Sequence, residues 1–192
     1  MSKYQTTIIS GIYKGKKINL PSLDTTRSSK TVVKESYFNT IQFDVIECNI
    51  VEVFAGSGSV GMEALSRGAK HAYFMEKDSA AFKTLSQNIK SLGADNATAI
   101  LGNSFETISQ VIKALARSKE KAYFYVDPPF SFREGMEEIY NKTFDTLSSI
   151  PVEMVEMITI EHMTGLELPE NIGELKLKKS KKFGKTTLTH YV

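Results

Sequence analysis

From residue 50 onward, short apolar runs recur with a helix-length gap after each. They are Ile50 to Ala55, Ala72 to Glu76, Ala97 to Leu101, Ala122 to Asp127 and Met154 to Ile160. Continuous apolar runs this short, without strict polar alternation, are the mark of strands covered on both faces. The gaps hold stretches at Val60 to Arg67, Ser79 to Leu92, Phe105 to Ser118 and Phe132 to Ser148 that are long enough for helices. Parallel neighbours need such crossovers, so the alternation predicts an α/β, Rossmann-like fold around a mostly parallel sheet. The tail differs. Glu174 to Lys179 and Thr186 to Val192 are strand-like around a Lys-Phe-Gly turn and have no helix between them, which predicts an antiparallel C-terminal hairpin and seven strands in all.

The first 45 residues stand apart from this rhythm. Ile8 to Gly11 and Lys17 to Leu20 are expected to form a basic hairpin around Lys14-Gly15-Lys16. Val32, Val33, Tyr37, Phe38 and Ile41 recur at helical spacing behind Ser28-Ser29, a capping pair. The expected organisation is an N-terminal appendage over 1–45 and a larger domain over 46–192.

Charge separates the same regions. The net charge is only +2, but residues 1–40 and 174–192 each carry +5, leaving the body between them at −8. Basic ends on an acidic body suit a polyanionic partner. Lys14, Lys16, Lys17, Arg27, Lys30 and Lys34 at one end, and Lys178, Lys179, Lys181 and Lys182 beside Phe183 at the other, are the candidate nucleic-acid contacts. The single cysteine, Cys48, the lack of a Cys/His cluster, the polar start and the lack of a span-length apolar run point to a reduced, cytoplasmic protein with no metal and no membrane partner, and a monomer is the expected state.

Two strand ends carry chemistry. Glu52-Val53-Phe54-Ala55-Gly56-Ser57-Gly58-Ser59-Val60-Gly61 is a strand, a glycine turn and a helix start. Gly56 and Gly58 permit a sharp bend and close ligand approach, and Gly61 permits close helix packing. Glu76, twenty positions after Gly56, ends the next strand where a carboxylate takes ribose hydroxyls, with Lys77 beside it. Glu52 favours the ammonium of a methionine moiety over a pyrophosphate. Asn103-Ser104 are candidates for an adenine edge. The fourth run stops in Asp127-Pro128-Pro129-Phe130. Prolines fix φ and remove N–H donors, so this is a rigid ledge of acceptors. The Asp127 carboxylate and the Pro128 carbonyl can take both hydrogens of one planar amine while Phe130 stacks on its ring. Glu161-His162, ending the fifth run, could line the same cleft.

These stretches together resemble the class I S-adenosylmethionine-dependent amino methyltransferases. The closer resemblance is to the bacterial RsmD-like family, carried by Gly11 to Lys17, Arg27 to Asn39, Phe54 to Arg67 and Val126 to Phe130. It implies a class I methyltransferase fold, S-adenosylmethionine as cofactor, and methylation of a guanine N2 in 16S ribosomal RNA, naked or in the small ribosomal subunit. Asp127, Pro128, Pro129 and Phe130 would then be catalytic. Glu52, Phe54, Ala55, Gly56, Ser57, Gly58, Gly61, Glu76, Lys77, Asn103, Ser104 and Asp127 would bind the cofactor. The family pattern Arg-Pro-Thr followed by Asp-Arg is changed here, since Arg27 to Val32 lacks the Pro, the Asp and the second Arg.

The ledge itself does not choose its amine. Adenine N6, cytosine N4 and a protein glutamine amide all present the same group. A nicotinamide oxidoreductase is disfavoured by Glu52 and the ledge, and a non-catalytic RNA-binding module by the intact loop.

Overall fold

The computed structural model describes residues 4–21, 31–129 and 136–192. Arg27, Lys30, Phe130, the Ser28-Ser29 cap and the expected helix start at Phe132 lie outside the described residues. The strands are β1 (Gln5–Thr7), β2 (Lys17–Asn19), β3 (Asn49–Val53), β4 (His71–Glu76), β5 (Ala97–Leu101), β6 (Ala122–Val126), β7 (Val155–Met163), β8 (Asn171–Ile172), β9 (Leu175–Phe183) and β10 (Thr186–Tyr191). The helices are α1 (Thr31–Thr40), α2 (Ser59–Ser66), α3 (Ser79–Leu92), α4 (Ser104–Ser118) and α5 (Met136–Ser148).

The main sheet runs β5-β4-β3-β6-β7-β10-β9-β8. Its first five strands are parallel, and β10, β9 and β8 are each antiparallel to the strand before them in that order. The expected fold is present, with one strand more than the seven read from sequence. The addition, β8, is two residues long and pairs Asn171 with Lys176 and Ile172 with Leu175.

β3 lies at the point where the strand order reverses, with β4 on one side and β6 on the other. The connections leaving β3 and leaving β6 therefore diverge, opening a crevice at the carboxyl ends of these strands. The registers Val53↔Met75 and Val53↔Val126 bring the three ends level.

Two apolar clusters cover the sheet. One joins Ile50, Phe74, Tyr125 and Leu188 to Met62, Leu65 and Leu85 from α2 and α3, and it includes Ile8, Ile18, Val33, Tyr37 and Phe38 from the N-terminal segment. The other packs Val51, Phe124 and Ile158 against Val111 and Leu115 of α4 and Leu147 of α5. The appendage thus shares a core with the sheet.

Its hairpin departs from expectation at the first strand. The pairing segment is Gln5–Thr7, with Thr6 opposite Ile18, and Ile8 instead closes the turn through Ile8 N to Lys16 O at 3.0 Å and Gly15 N to Ile8 O at 2.9 Å. Polar contacts add to the apolar anchors Ile8 and Ile18. Glu63 of α2 is fully buried and accepts Ile9 N at 2.8 Å, Ser10 N at 3.0 Å and Arg67 Nε at 2.9 Å. Ser66 Oγ accepts Tyr13 N and donates to Ser10 O. A side chain at Gly11 would put its Cβ 1.7 Å from Ser66 O, so only glycine allows this approach.

Candidate active site

β3 delivers the chain to the crevice in a forced conformation. Phe54 has φ +63°, followed by Gly56 at +54° and Gly58 at +78°. A bulky residue with positive φ is unfavourable by itself and persists where its surroundings fix it. Here Ala55 N donates to Met75 O at 2.8 Å and Gly58 N to Ala55 O at 2.8 Å, which closes the turn. The Phe54 ring meets Phe105, at the start of α4, edge to face at 5.6 Å. Both rings are half-buried and form one wall of the crevice. Phe105 had no distinguishing mark in the sequence, because only the backbone turn at Phe54 brings the two together.

The two acidic residues flanking the loop both bind its backbone. Glu76 accepts Gly56 N through Oε2 at 2.8 Å and Asp78 N through Oε1 at 2.7 Å. Glu52 accepts Val60 N at 3.2 Å and Gly61 N at 2.8 Å. These are first-turn amides of α2, so Glu52 occupies donors that a helix start otherwise offers to an anionic ligand. Burial is the main influence on Glu52 and raises its carboxyl to about 7, against the two amide bonds and the Lys34 charge, which lower it.

The loop glycines serve packing as well as approach. A Cβ on Gly61 would lie 2.4 Å from the Phe74 ring, and one on Gly58 would lie 2.5 Å from Leu85. Asn88 of α3, itself buried, donates to Ser57 O at 3.0 Å and to Asn19 O at 2.9 Å and accepts Asn19 N at 3.0 Å. The far end of the N-terminal hairpin is thereby tied to the glycine loop.

The ledge lies next door. Asp127 N donates to Val53 O at 3.4 Å, holding the ledge against the last residue of β3. Asp127 is half-buried, Pro128 buried and Pro129 exposed. Behind it, the Tyr125 hydroxyl donates to Glu161 of β7 at 2.5 Å. Beyond β5, Asn103 caps α4 by accepting Phe105 N at 3.2 Å and is exposed, whereas Ser104 is buried. Lys77 points to solvent.

The lysines divide. Lys178, Lys179, Lys181 and Lys182 are exposed along β9, and Lys181 lies over the Phe183 ring at 5.2 Å. Thr186 pairs with both Phe183 and Met163, so the turn carrying these groups is at the same end of the sheet as the ledge. Lys14, Lys16 and Lys17 are also exposed, but the turn before them docks on Ser66, at the opposite end of α2 from the glycine loop. Lys34 is a correction. It is 1% exposed and its ammonium is 3.4 Å from Glu63 and from Thr7 O, so it has no face to offer a phosphate. Desolvation lowers its pKa, partly offset by Glu63.

His71, His162 and His190 bond Thr98, Thr189 and Thr159 respectively. Among the described residues no group of three or more His, Cys, Asp or Glu could hold a metal, and no helix is long and apolar enough to cross a membrane.

Residues 6–192, nearly the whole chain, match the family described as Conserved hypothetical protein 95. The chain belongs to the RsmD-like family of S-adenosylmethionine-dependent methyltransferases. Among RsmD-like relatives, YlbH of Bacillus subtilis, named as a candidate rRNA methyltransferase, is 32% identical over 189 residues, covering 96% of this chain and 97% of that protein. The Ribosomal RNA small subunit methyltransferase D of Escherichia coli K12 is 33% identical over 134 residues, covering 70% of this chain and 64% of that protein. The solved structure of yhhF from Escherichia coli, described as a candidate methyltransferase, superposes with a TM-score of 0.78 at 28% identity, covering 98% and 97% of the two chains.

Proposed function

We propose that the protein transfers a methyl group from S-adenosylmethionine to the exocyclic N2 amine of a guanine in small-subunit ribosomal RNA. The observation that carries this reading is the bond from Asp127 N to Val53 O, which keeps an acceptor ledge beside the glycine loop at the sheet's reversal point. Family membership supports methyl transfer, and the name of the Escherichia coli relative supports ribosomal RNA.

The residues present fit the cofactor. When bound, S-adenosylmethionine supplies an electrophilic methyl group on a sulfonium. Glu76 keeps acceptor positions for ribose hydroxyls, because two backbone donors use only part of a carboxylate's capacity. Phe54 and Phe105 flank an adenine, with Asn103 and Ser104 at its edge and Lys77 beside it. The backbone of Ala55, Gly56, Ser57 and Gly58 meets the amino-acid end. Glu52 acts from beneath, fixing the first turn of α2 and placing negative potential under the ammonium.

For the acceptor, the Asp127 carboxylate and the Pro128 carbonyl each hold one N–H of the amine. A conjugated amine is a poor nucleophile because its lone pair is shared with the ring. Held this way, the nitrogen can pyramidalise and direct the pair out of the ring plane. Both acceptors also favour the positive charge that develops on nitrogen, and Asp127 can take the proton released. Pro129 keeps the ledge rigid and Phe130 stacks on the base, which leaves its helix or comes from an unpaired loop. Lys178, Lys179, Lys181 and Lys182 contact RNA phosphates beside the rim. The protein works as a cytoplasmic monomer.

The test is to incubate the protein with methyl-labelled donor and with RNA or small subunits from cells lacking the gene, then digest and identify the labelled nucleoside. N2-methylguanosine is expected. Label in N6-methyladenosine or N4-methylcytidine would overturn the base assignment, and no label in any RNA would overturn the reading.

A further inference from the structure

Asp127 and Pro128 offer acceptors to any planar amine, and the adjacent strand supplies a means of choosing among them. β6 and β7 run parallel with Tyr125 opposite Thr159 and Val126 opposite Ile160, so the next residues at the rim are Asp127 and Glu161. Residues two apart on a strand share a face. Tyr125, Asp127 and Glu161 are therefore on one side of the sheet, and the 2.5 Å bond from the Tyr125 hydroxyl fixes the Glu161 carboxylate beside the ledge. Tyr125 is 1% and Glu161 5% exposed, so this is a desolvated carboxylate.

We propose that Glu161 selects the base: its carboxylate accepts the N1–H of the guanine whose N2 amine is held at Asp127 and Pro128, with Tyr125 as a positioning residue. This rests on the methyl-transfer reading above and extends it to recognition. The edge of guanine presents O6, N1–H and the N2 amine in order, an acceptor followed by donors. Adenine and cytosine carry an unprotonated ring nitrogen beside their amines, which would face the carboxylate lone pair to lone pair. A carboxylate has about four lone-pair sites, so the bond from the Tyr125 hydroxyl does not by itself exhaust it. A desolvated site built around a hydrogen bond rejects strongly the analogue that cannot make it.

The test repeats the labelled-RNA assay with Glu161→Gln and Tyr125→Phe, alongside calorimetric S-adenosylmethionine binding for each. In Glu161→Gln the amide N–H can donate to adenine N1. Cofactor affinity is expected to stay at the wild-type value, N2-methylguanosine formation to fall about 100-fold or more, and the ratio of N6-methyladenosine to N2-methylguanosine to rise about tenfold or more. Tyr125→Phe keeps the ring and is expected to slow guanine transfer about tenfold with cofactor affinity unchanged. Guanine transfer by Glu161→Gln within about threefold of wild type, or a loss with no change in base ratio, would overturn the proposal. If Glu161→Gln does not fold, Tyr125→Phe decides, and an unchanged rate there overturns it. Failure of the guanine reading itself shows earlier and separately, as a wild-type protein that labels another base.

Discussion

Glu52 Oε2 accepts the Gly61 amide at 2.8 Å, so a carboxylate buried in the central strand anchors the first turn of the helix that follows the glycine loop. Loop, strand and helix are thereby one unit.

That anchor has a pH signature. Glu52 is raised from 4.5 to about 7, chiefly by burial, so between these values the folded state holds a proton that the unfolded chain has released. Stability from this group is full below the unfolded value and declines as pH rises to about 7. The difference corresponds to at most about 3 kcal/mol. His190 works in the opposite sense. Burial lowers it from 6.5 to about 4, so its contribution is lost as pH falls through that window. The two overlap, and the informative measurement is the wild-type curve minus that of Glu52→Gln, by urea denaturation from pH 4.5 to 8. The difference is expected to decline with rising pH and level off above about 7.

Glu63 is the charged anchor of the N-terminal hairpin, beside Ser66 and Asn88. Removing Glu63 strands Lys34 without its counter-charge and leaves the Ile9 and Ser10 amides without their acceptor. Glu63→Ala is expected to cost about 3–5 kcal/mol. Lys34→Met should cost much less, since Glu63 keeps Arg67 and both amides. Hydrogen exchange is the check, with amides of Ile9, Ser10 and Tyr13 losing protection in Glu63→Ala and keeping it in Lys34→Met.

Along β9, alanine at Lys178, Lys179, Lys181 and Lys182 together is expected to weaken RNA binding. For every phosphate that is no longer neutralised, the slope of log affinity against log salt should become shallower by about 0.7–0.9. Binding titrations between low and moderate salt measure this directly, and Lys34→Met serves as the control with an unchanged slope.

The parallel half of the sheet was legible because buried strands and crossover helices leave a plain alternation, and Ser79–Leu92 and Ala97–Leu101 fall where the pattern puts them. β1 was misplaced by the apolar Ile8 and Ile9, since Gln5-Thr6-Thr7 pairs through its backbone with no apolar stripe. The C-terminal hairpin was legible, but β9 continues to Phe183, because its exposed lysines have no alternation to mark the end. In the site, loop and ledge could be read as local motifs. The roles of Glu52 and Glu76 as backbone acceptors could not, and neither could the pairings Phe54–Phe105 and Tyr125–Glu161, which exist only through strand register and turn geometry. Lys34 misled because lysine is ordinarily a surface residue.

The central claim is that Asp127 holds the reacting amine, and Asp127→Ala tests it most directly, with S-adenosylmethionine affinity and single-turnover methyl transfer measured on the same protein. Cofactor affinity is expected to stay within about threefold of wild type while the transfer rate falls about 100-fold or more. A transfer rate close to wild type, with the cofactor bound as before, would contradict the account.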